Sequence, residues 1–213
     1  MRTLRPALAL LALALFVRGA SAQEPIRMAR TPDISPDGKL VAFSYQGDIW
    51  AVEALGGVAR QVTSHPAHDM GPVFSRDGRR IAFSSNRYGS YNVFVVPAQG
   101  GQPRRLTFDS DNDLVTGWSP DGRQVLFSST RSIAFPPNFQ LYTVPVEGGM
   151  ARRVSADEGK EGVFSPDGKR IAYTRGPGAW YRKGYRGSAN DDIWVCDADG
   201  THNRQLTNFA GQD

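Results

Sequence analysis

The 213-residue chain carries 25 Lys and Arg against 21 Asp and Glu, for a net charge of +4, and has one cysteine. Three of the basic residues (Arg2, Arg5, Arg18) sit in an N-terminal leader, and no basic run is interleaved with aromatics, which excludes a nucleic-acid footprint. The lone Cys196 excludes an intramolecular disulfide, and the supply of aromatic and β-branched residues excludes disorder.

The leader comes first. Arg2 and Arg5 form a basic n-region, Pro6 to Val17 an apolar core of 12 residues, and Ala20-Ser21-Ala22 a small-residue cleavage site before Gln23. The core is too short to span a bilayer as a stable helix. No cysteine follows the cleavage site to carry a lipid. Residues 1–22 are therefore expected to be a cleaved signal peptide, and residues 23–213 a periplasmic or secreted chain with no membrane association after cleavage.

Past a short lead-in, Glu24 to Arg30, one stretch keeps returning: Ser35-Pro36-Asp37-Gly38, Ser75-Arg76-Asp77-Gly78, Ser119-Pro120-Asp121-Gly122 and Ser165-Pro166-Asp167-Gly168. The intervals are 40, 44 and 46 residues, the length of a β-propeller blade. Each residue type suits a tight turn. Ser accepts a hydrogen bond, Pro pre-sets φ, Asp tolerates the bridge region and Gly takes a positive φ.

The flanks repeat as well. A strand end precedes each turn (Asp33-Ile34, Val73-Phe74, Gly117-Trp118, Val163-Phe164). A doubly apolar strand follows it (Leu40–Phe43, Ile81–Phe83, Val125–Phe127, Ile171–Tyr173), as stacked blades require. A third strand comes next (Asp48–Val52, Asn92–Val95, Gln140–Val144, Asp192–Val195). A glycine turn then leads into a basic closing strand: Arg60–Thr63, Arg104–Thr107, Arg152–Ser155 and Arg204–Thr207. The basic residues of this last strand fit a solvent-facing edge, where charge discourages pairing.

The expected fold is all-β: a β-propeller of four-stranded antiparallel blades, four of them, over approximately 31–63, 71–107, 115–155 and 162–207, with no helix outside the leader. The last repeat ends just before Gly211-Gln212-Asp213, so an incomplete ring with two uncapped apolar faces is expected. Two stretches interrupt the repeat between second and third strands, Arg131 to Phe139 and Gly176 to Asp191. Loops of this kind usually carry a propeller's function.

Chemistry-bearing clusters have plainer accounts. His65-x-x-His68-Asp69 is broken by Pro66 and lacks further ligands, so a polar loop explains it better than a metal. Asp109, Asp111 and Asp113 lack the glycine and distal glutamate of a calcium loop. The recurring serines are turn residues, and no nucleophile elbow occurs. Arg104-Arg105 and Arg152-Arg153 could hold a carboxylate, yet they occupy the edge-strand position of the repeat. Cys196 lies within an apolar strand and reads as a small core residue. No catalytic residue, metal or cofactor is expected. The binding candidates are Trp180, Tyr181, Lys183, Tyr185 and Arg186 of the longer insertion, which combine flat apolar surface with planar cations.

The repeat resembles the PD40 (WD40-like) unit shared by TolB, prolyl-oligopeptidase-type propellers and tricorn proteases. The run Trp180-Tyr181-Arg182-Lys183-Gly184-Tyr185-Arg186-Gly187, followed by Asp192-Ile193-Trp194, is similar to a stretch in the six-bladed propeller of tricorn protease. Asp48-Ile49-Trp50 in the first blade is similar too. The resemblance implies a six-bladed ring of which four blades are present here. It further implies a non-catalytic N-terminal propeller of an exported tricorn-like serine peptidase, gating or docking peptides, with the catalytic core downstream. The implied partners are peptides or protein domains, downstream domains of the same polypeptide among them, or a second copy. Two alternatives remain: a periplasmic TolB-like interaction propeller without enzymatic activity, and the propeller of a prolyl-oligopeptidase-like enzyme. TolB normally carries an α/β domain before its propeller, whereas these repeats begin within about ten residues of the cleavage site, which counts against the first alternative.

Overall fold

The Ser-x-Asp-Gly turns set the frame. In the first, the Ser35 hydroxyl donates to Asp37 Oδ1 at 2.6 Å. The same Asp37 oxygen accepts the Lys39 amide at 3.1 Å, and Ser35 Oγ accepts the Leu40 amide at 2.9 Å. Gly38 closes the turn at φ 71°, a region that costs a residue with a Cβ. The same hydroxyl and carboxylate bonds recur at Ser75/Asp77, Ser119/Asp121 and Ser165/Asp167. The serine hydroxyl holds each of these carboxyls below its ordinary pKa, and the following backbone amide adds to the effect.

A computed structural model describes residues 24–131, 138–155, 157–176 and 190–209. Among them are four antiparallel sheets of four strands each and no helix. The first blade is β1 (Arg30–Ile34), β2 (Leu40–Tyr45), β3 (Asp48–Glu53) and β4 (Arg60–Gln61). The second is β5 (Asp69–Phe74), β6 (Arg80–Tyr88), β7 (Ser90–Pro97) and β8 (Arg104–Arg105). The third is β9 (Asp113–Trp118), β10 (Gln124–Ser129), β11 (Gln140–Pro145) and β12 (Arg152–Arg153). The fourth is β13 (Lys160–Phe164), β14 (Arg170–Arg175), β15 (Asp192–Asp197) and β16 (Arg204–Gln205). Each sheet runs in simple chain order. The first strands of successive blades lie against one another, β1 with β5, β5 with β9 and β9 with β13, so they form the inner wall of the propeller.

One core cluster forms between each adjacent pair of blades. Ala42, Ile49, Ala51 and Val62 of the first meet Phe74, Ile81, Phe83, Phe94 and Val96 of the second. Ala82, Val93, Val95 and Leu106 of the second meet Trp118, Val125, Phe127, Tyr142 and Val144 of the third. Leu126 and Leu141 of the third meet Ile171, Tyr173 and Cys196 of the fourth. Among the described residues no cluster joins the fourth blade to the first, and the ring is not closed. The face of the fourth blade that corresponds to Val93 and Leu106 is open, with Ile193 39% and Leu206 50% exposed. Cys196 is buried, and burial foremost pushes its thiol up to about 11.

The closing strands are shorter than the sequence suggests, two residues in each blade instead of four. Hydroxyls take over where the ladder stops. Thr63, Thr107 and Thr207 accept the amides of Ile49, Val93 and Ile193 through Oγ1, each at 2.9 Å. Their arginines are also not merely edge charges. Arg60 donates to the Ala98 carbonyl of the next blade at 2.6 Å, and Arg104 donates to the Val146 carbonyl.

Hydroxyls on the second strands stitch the blades together. Each inner strand carries a β-bulge or register shift, which frees a backbone amide to point at the preceding blade. Ser44 Oγ accepts Gly71 N at 3.2 Å, Ser84 Oγ accepts Val115 N at 2.9 Å, and Ser128 Oγ accepts Glu161 N at 3.1 Å. Asp33 Oδ2 likewise accepts Phe74 N at 2.7 Å, and the Val73 carbonyl accepts the Trp118 indole at 2.9 Å.

Candidate functional site

The inner strands start on the face that also carries the second-to-third-strand connections and the crossovers between blades, and both insertions leave from this face. Its charged side chains follow the repeat. At the first position of β5 and β9 stand Asp69 and Asp113, both fully buried. Each pairs with an arginine near the end of the second strand. Arg87 Nη2 donates to Asp69 Oδ2 at 2.6 Å, and Arg131 Nη2 donates to Asp113 Oδ2 at 2.5 Å. Ser85 and Ser129 accept the Nε of these arginines at 3.1 and 3.2 Å. The guanidinium groups rest on rings, Arg87 over Phe83 and Phe94, Arg131 over Phe127 and Tyr142. Removing one member of such a buried pair strands the other charge, at a cost of about 3–5 kcal/mol.

Reading the sequence alone misses these pairs, although a signal for them exists. In units two and three an Asp lies 18 residues before an Arg, and each Arg follows a Ser-x step at the end of an apolar strand. The fourth blade departs from the pattern. Gly159 takes the aspartate's place, where a Cβ would stand 2.8 Å from the Tyr173 ring. Its charges pair differently, Lys160 with Asp191 at 2.9 Å and Arg175 with Asp157 at 3.9 Å, while Arg175 stacks on Trp194 at 4.6 Å.

The flanks of the two insertions converge on one crossover. Beside the first insertion, Asn138 donates to Glu158 at 2.5 Å, and the Phe139 carbonyl accepts the Gly159 amide at 2.8 Å. Beside the second, Arg175 pairs with Asp157 and Asp191 pairs with Lys160. Residues 157–160, between the third and fourth blades, thus anchor both. The binding candidates Trp180, Tyr181, Lys183, Tyr185 and Arg186 lie outside the described residues. The structure places their flanks on this face and beside this crossover.

The other clusters separate. His65 and His68 do not converge. The His65 amide is held by Asp48 Oδ1 at 3.0 Å, while the His68 ring bonds Tyr91 OH at 3.0 Å. Asp109 and Asp113 both meet Arg131, so that acidic run is partly neutralised by one guanidinium. Arg105 is gripped between Tyr88 and Phe108, at 4.3 and 4.6 Å from the ring centres, and donates to Asn92 Oδ1 at 2.6 Å. The opposite face holds clefts between blades. One of about 750 Å³ lies between Ser119-Pro120-Asp121 and Asp167-Gly168 and is also lined by Arg152 and Arg153.

The profile of the family described as "Tricorn protease N-terminal beta propeller domain" matches residues 26–213. The chain belongs to this family. Two curated relatives match shorter stretches of it. A protein TolB homolog of Chlorobium luteolum is 40% identical over 55 residues, which is 26% of this chain and 13% of that protein. The Tol-Pal system protein TolB of Wolinella succinogenes is 37% identical over 67 residues, 30% of this chain and 16% of that protein. Both matches thus span only a small part of the relative's own length. Among solved structures, a putative TolB from Agrobacterium tumefaciens superposes with TM-score 0.73 at 25% identity, covering 90% of this chain and 65% of its own. A tricorn protease superposes with TM-score 0.73 at 23% identity, covering 88% of this chain but 19% of its own. The latter likeness is one of fold.

Proposed function

We propose that this chain is the non-catalytic N-terminal propeller of an exported tricorn-like serine peptidase, docking or gating peptides and neighbouring domains on its insertion face. The observation that carries this reading is the family match over nearly the whole folded chain. The convergence of both insertion flanks on residues 157–160 supports it by giving the two loops a common base. Trp180, Tyr181, Lys183, Tyr185 and Arg186 are the proposed contact residues, and the leader supports an exported location. Titration calorimetry of mixed-sequence oligopeptides into the full chain tests the reading. Trp180→Ala with Tyr185→Ala is expected to weaken binding at least tenfold with an unchanged melting temperature. Equal affinity in parent and variant would refute it.

The TolB relatives favour a second reading, a periplasmic interaction propeller whose partner is a folded protein. Under that reading peptides would not compete with the partner for the same face.

A further inference from the structure

On the insertion face the second, third and fourth blades each pair a cation with a buried aspartate, and among the described residues the first blade has no such pair. In the second and third blades the cations Arg87 and Arg131 meet buried aspartates, and in the fourth Lys160 meets Asp191. The residue of the first blade that corresponds to Asp69 and Asp113 is Ala29, one position before the Arg30–Ser44 pairing. No carboxylate replaces it. Two arginines, Arg27 and Arg30, are exposed there, and among the described residues neither forms an ion pair.

These two arginines line a cavity of about 360 Å³ together with Met28, Tyr45, Gln46 and His68, among others, and among the described residues no acidic one contributes to it. The polar lining is already oriented. His68 is tied through Nδ1 to Tyr91 OH at 3.0 Å, which leaves its Nε2 edge for a ligand. The Gln46 amide donates to Tyr45 OH at 3.3 Å, so the phenol retains its own proton to give. Met28 is 78% exposed beside them, an apolar contact at the rim, and is held at φ 62°, a backbone region that non-glycine residues occupy at a cost and that clusters at binding sites. Unneutralised cations in a concave site focus positive potential, and the planar guanidinium fork fits a carboxylate.

We infer that this cavity is a carboxylate-binding site that takes the side chains of an acidic peptide segment at the entrance of the first blade. The inference rests on the peptide-docking reading and names a chemical class for it. Its location is the first blade, away from the crossover that anchors the insertions, so the two can fail separately.

The test is fluorescence anisotropy of labelled tetraglutamate with the full chain, beside a labelled Ala-Phe-Ala-Phe peptide and unlabelled citrate as competitor. Tetraglutamate is expected to bind more weakly as salt rises. Arg27→Gln and Arg30→Gln should each reduce its affinity about tenfold, as expected for loss of a charge-assisted bond. Arg79→Gln, an exposed arginine beside a turn on the opposite face, should leave affinity unchanged. All three side chains lie on the surface, and parent-like melting curves are expected. Equal binding by parent, Arg27→Gln and Arg30→Gln would overturn the site, as would an equal loss in Arg79→Gln. Binding of the uncharged peptide alone would overturn the site and leave the docking reading standing. Citrate that binds in an Arg30-dependent way while no peptide binds would overturn the peptide source and the docking reading together.

Discussion

Two kinds of aspartate in this propeller respond to pH with opposite signs. Asp37, Asp77, Asp121 and Asp167 have carboxyls held low by their turn serines. Their contribution is present above the unfolded value of about 3.8 and disappears as pH falls through the lower folded values. Asp33 is the reverse. It sits between the first two blades, and burial outweighs the Phe74 and Ile34 amides to raise its pKa. A raised carboxyl binds protons more readily when folded, so its contribution declines as pH climbs from 3.8 through the folded value. Asn at this position keeps an oxygen for the Phe74 amide without a charge to desolvate. Asp33→Asn is therefore expected to melt above the parent at pH 7 and to converge with it as pH falls below 3.8, where the carboxyl is protonated in both folded and unfolded chains. Thermal melts across that range check the sign.

At the scale of strands, the sequence reveals what repeats within a unit and conceals what is exchanged between units. Turn serines, glycines and alternating apolar residues announce every first, second and third strand, because each acts on chain neighbours. The closing strands read too long because Thr63, Thr107 and Thr207 look like ordinary strand residues, although their hydroxyls replace the ladder. The Asp69–Arg87 and Asp113–Arg131 pairs stay hidden because their partners meet only once β5 and β9 have taken up their register with β6 and β10. The proposed contacts of the longer insertion, Trp180 to Arg186, rest on residue type and resemblance alone. Ser84 is the sharpest test of exchange between blades. Ser84→Ala leaves the Val115 amide without its acceptor, and the expected loss is about 1–3 kcal/mol by urea denaturation. The exposed Ser110 serves as the control. Ser110→Ala is expected to stay within about 0.5 kcal/mol of the parent in the same measurement.

At the scale of the molecule, repetition makes the fourth blade's open face interpretable. Val93 and Leu106 of the second blade are 0% and 2% exposed because the third blade covers them. Ile193 and Leu206 fill the same repeat positions without such a cover among the described residues, and Val163 and Phe209 are exposed as well. Contiguous apolar surface of this kind promotes association. Ile193→Lys with Leu206→Lys is expected to hold the isolated chain monomeric at concentrations where the parent self-associates, as read by sedimentation velocity. Val93→Lys, at the covered position, is expected instead to prevent folding, because the charge has no exit to water.

The bonds between blades also have a direction, and that direction bears on the order of assembly. Ser44, Asp33, Ser84 and Ser128 offer acceptors to amides that come later in the chain. A polypeptide emerging N-terminus first would find each acceptor in place before the donor that needs it arrives. Among the described residues, the bonds that run backwards belong to Arg60, Arg80 and Arg104, long side chains that water can satisfy while they wait. Each finished sheet is thus a template for its successor, one blade at a time.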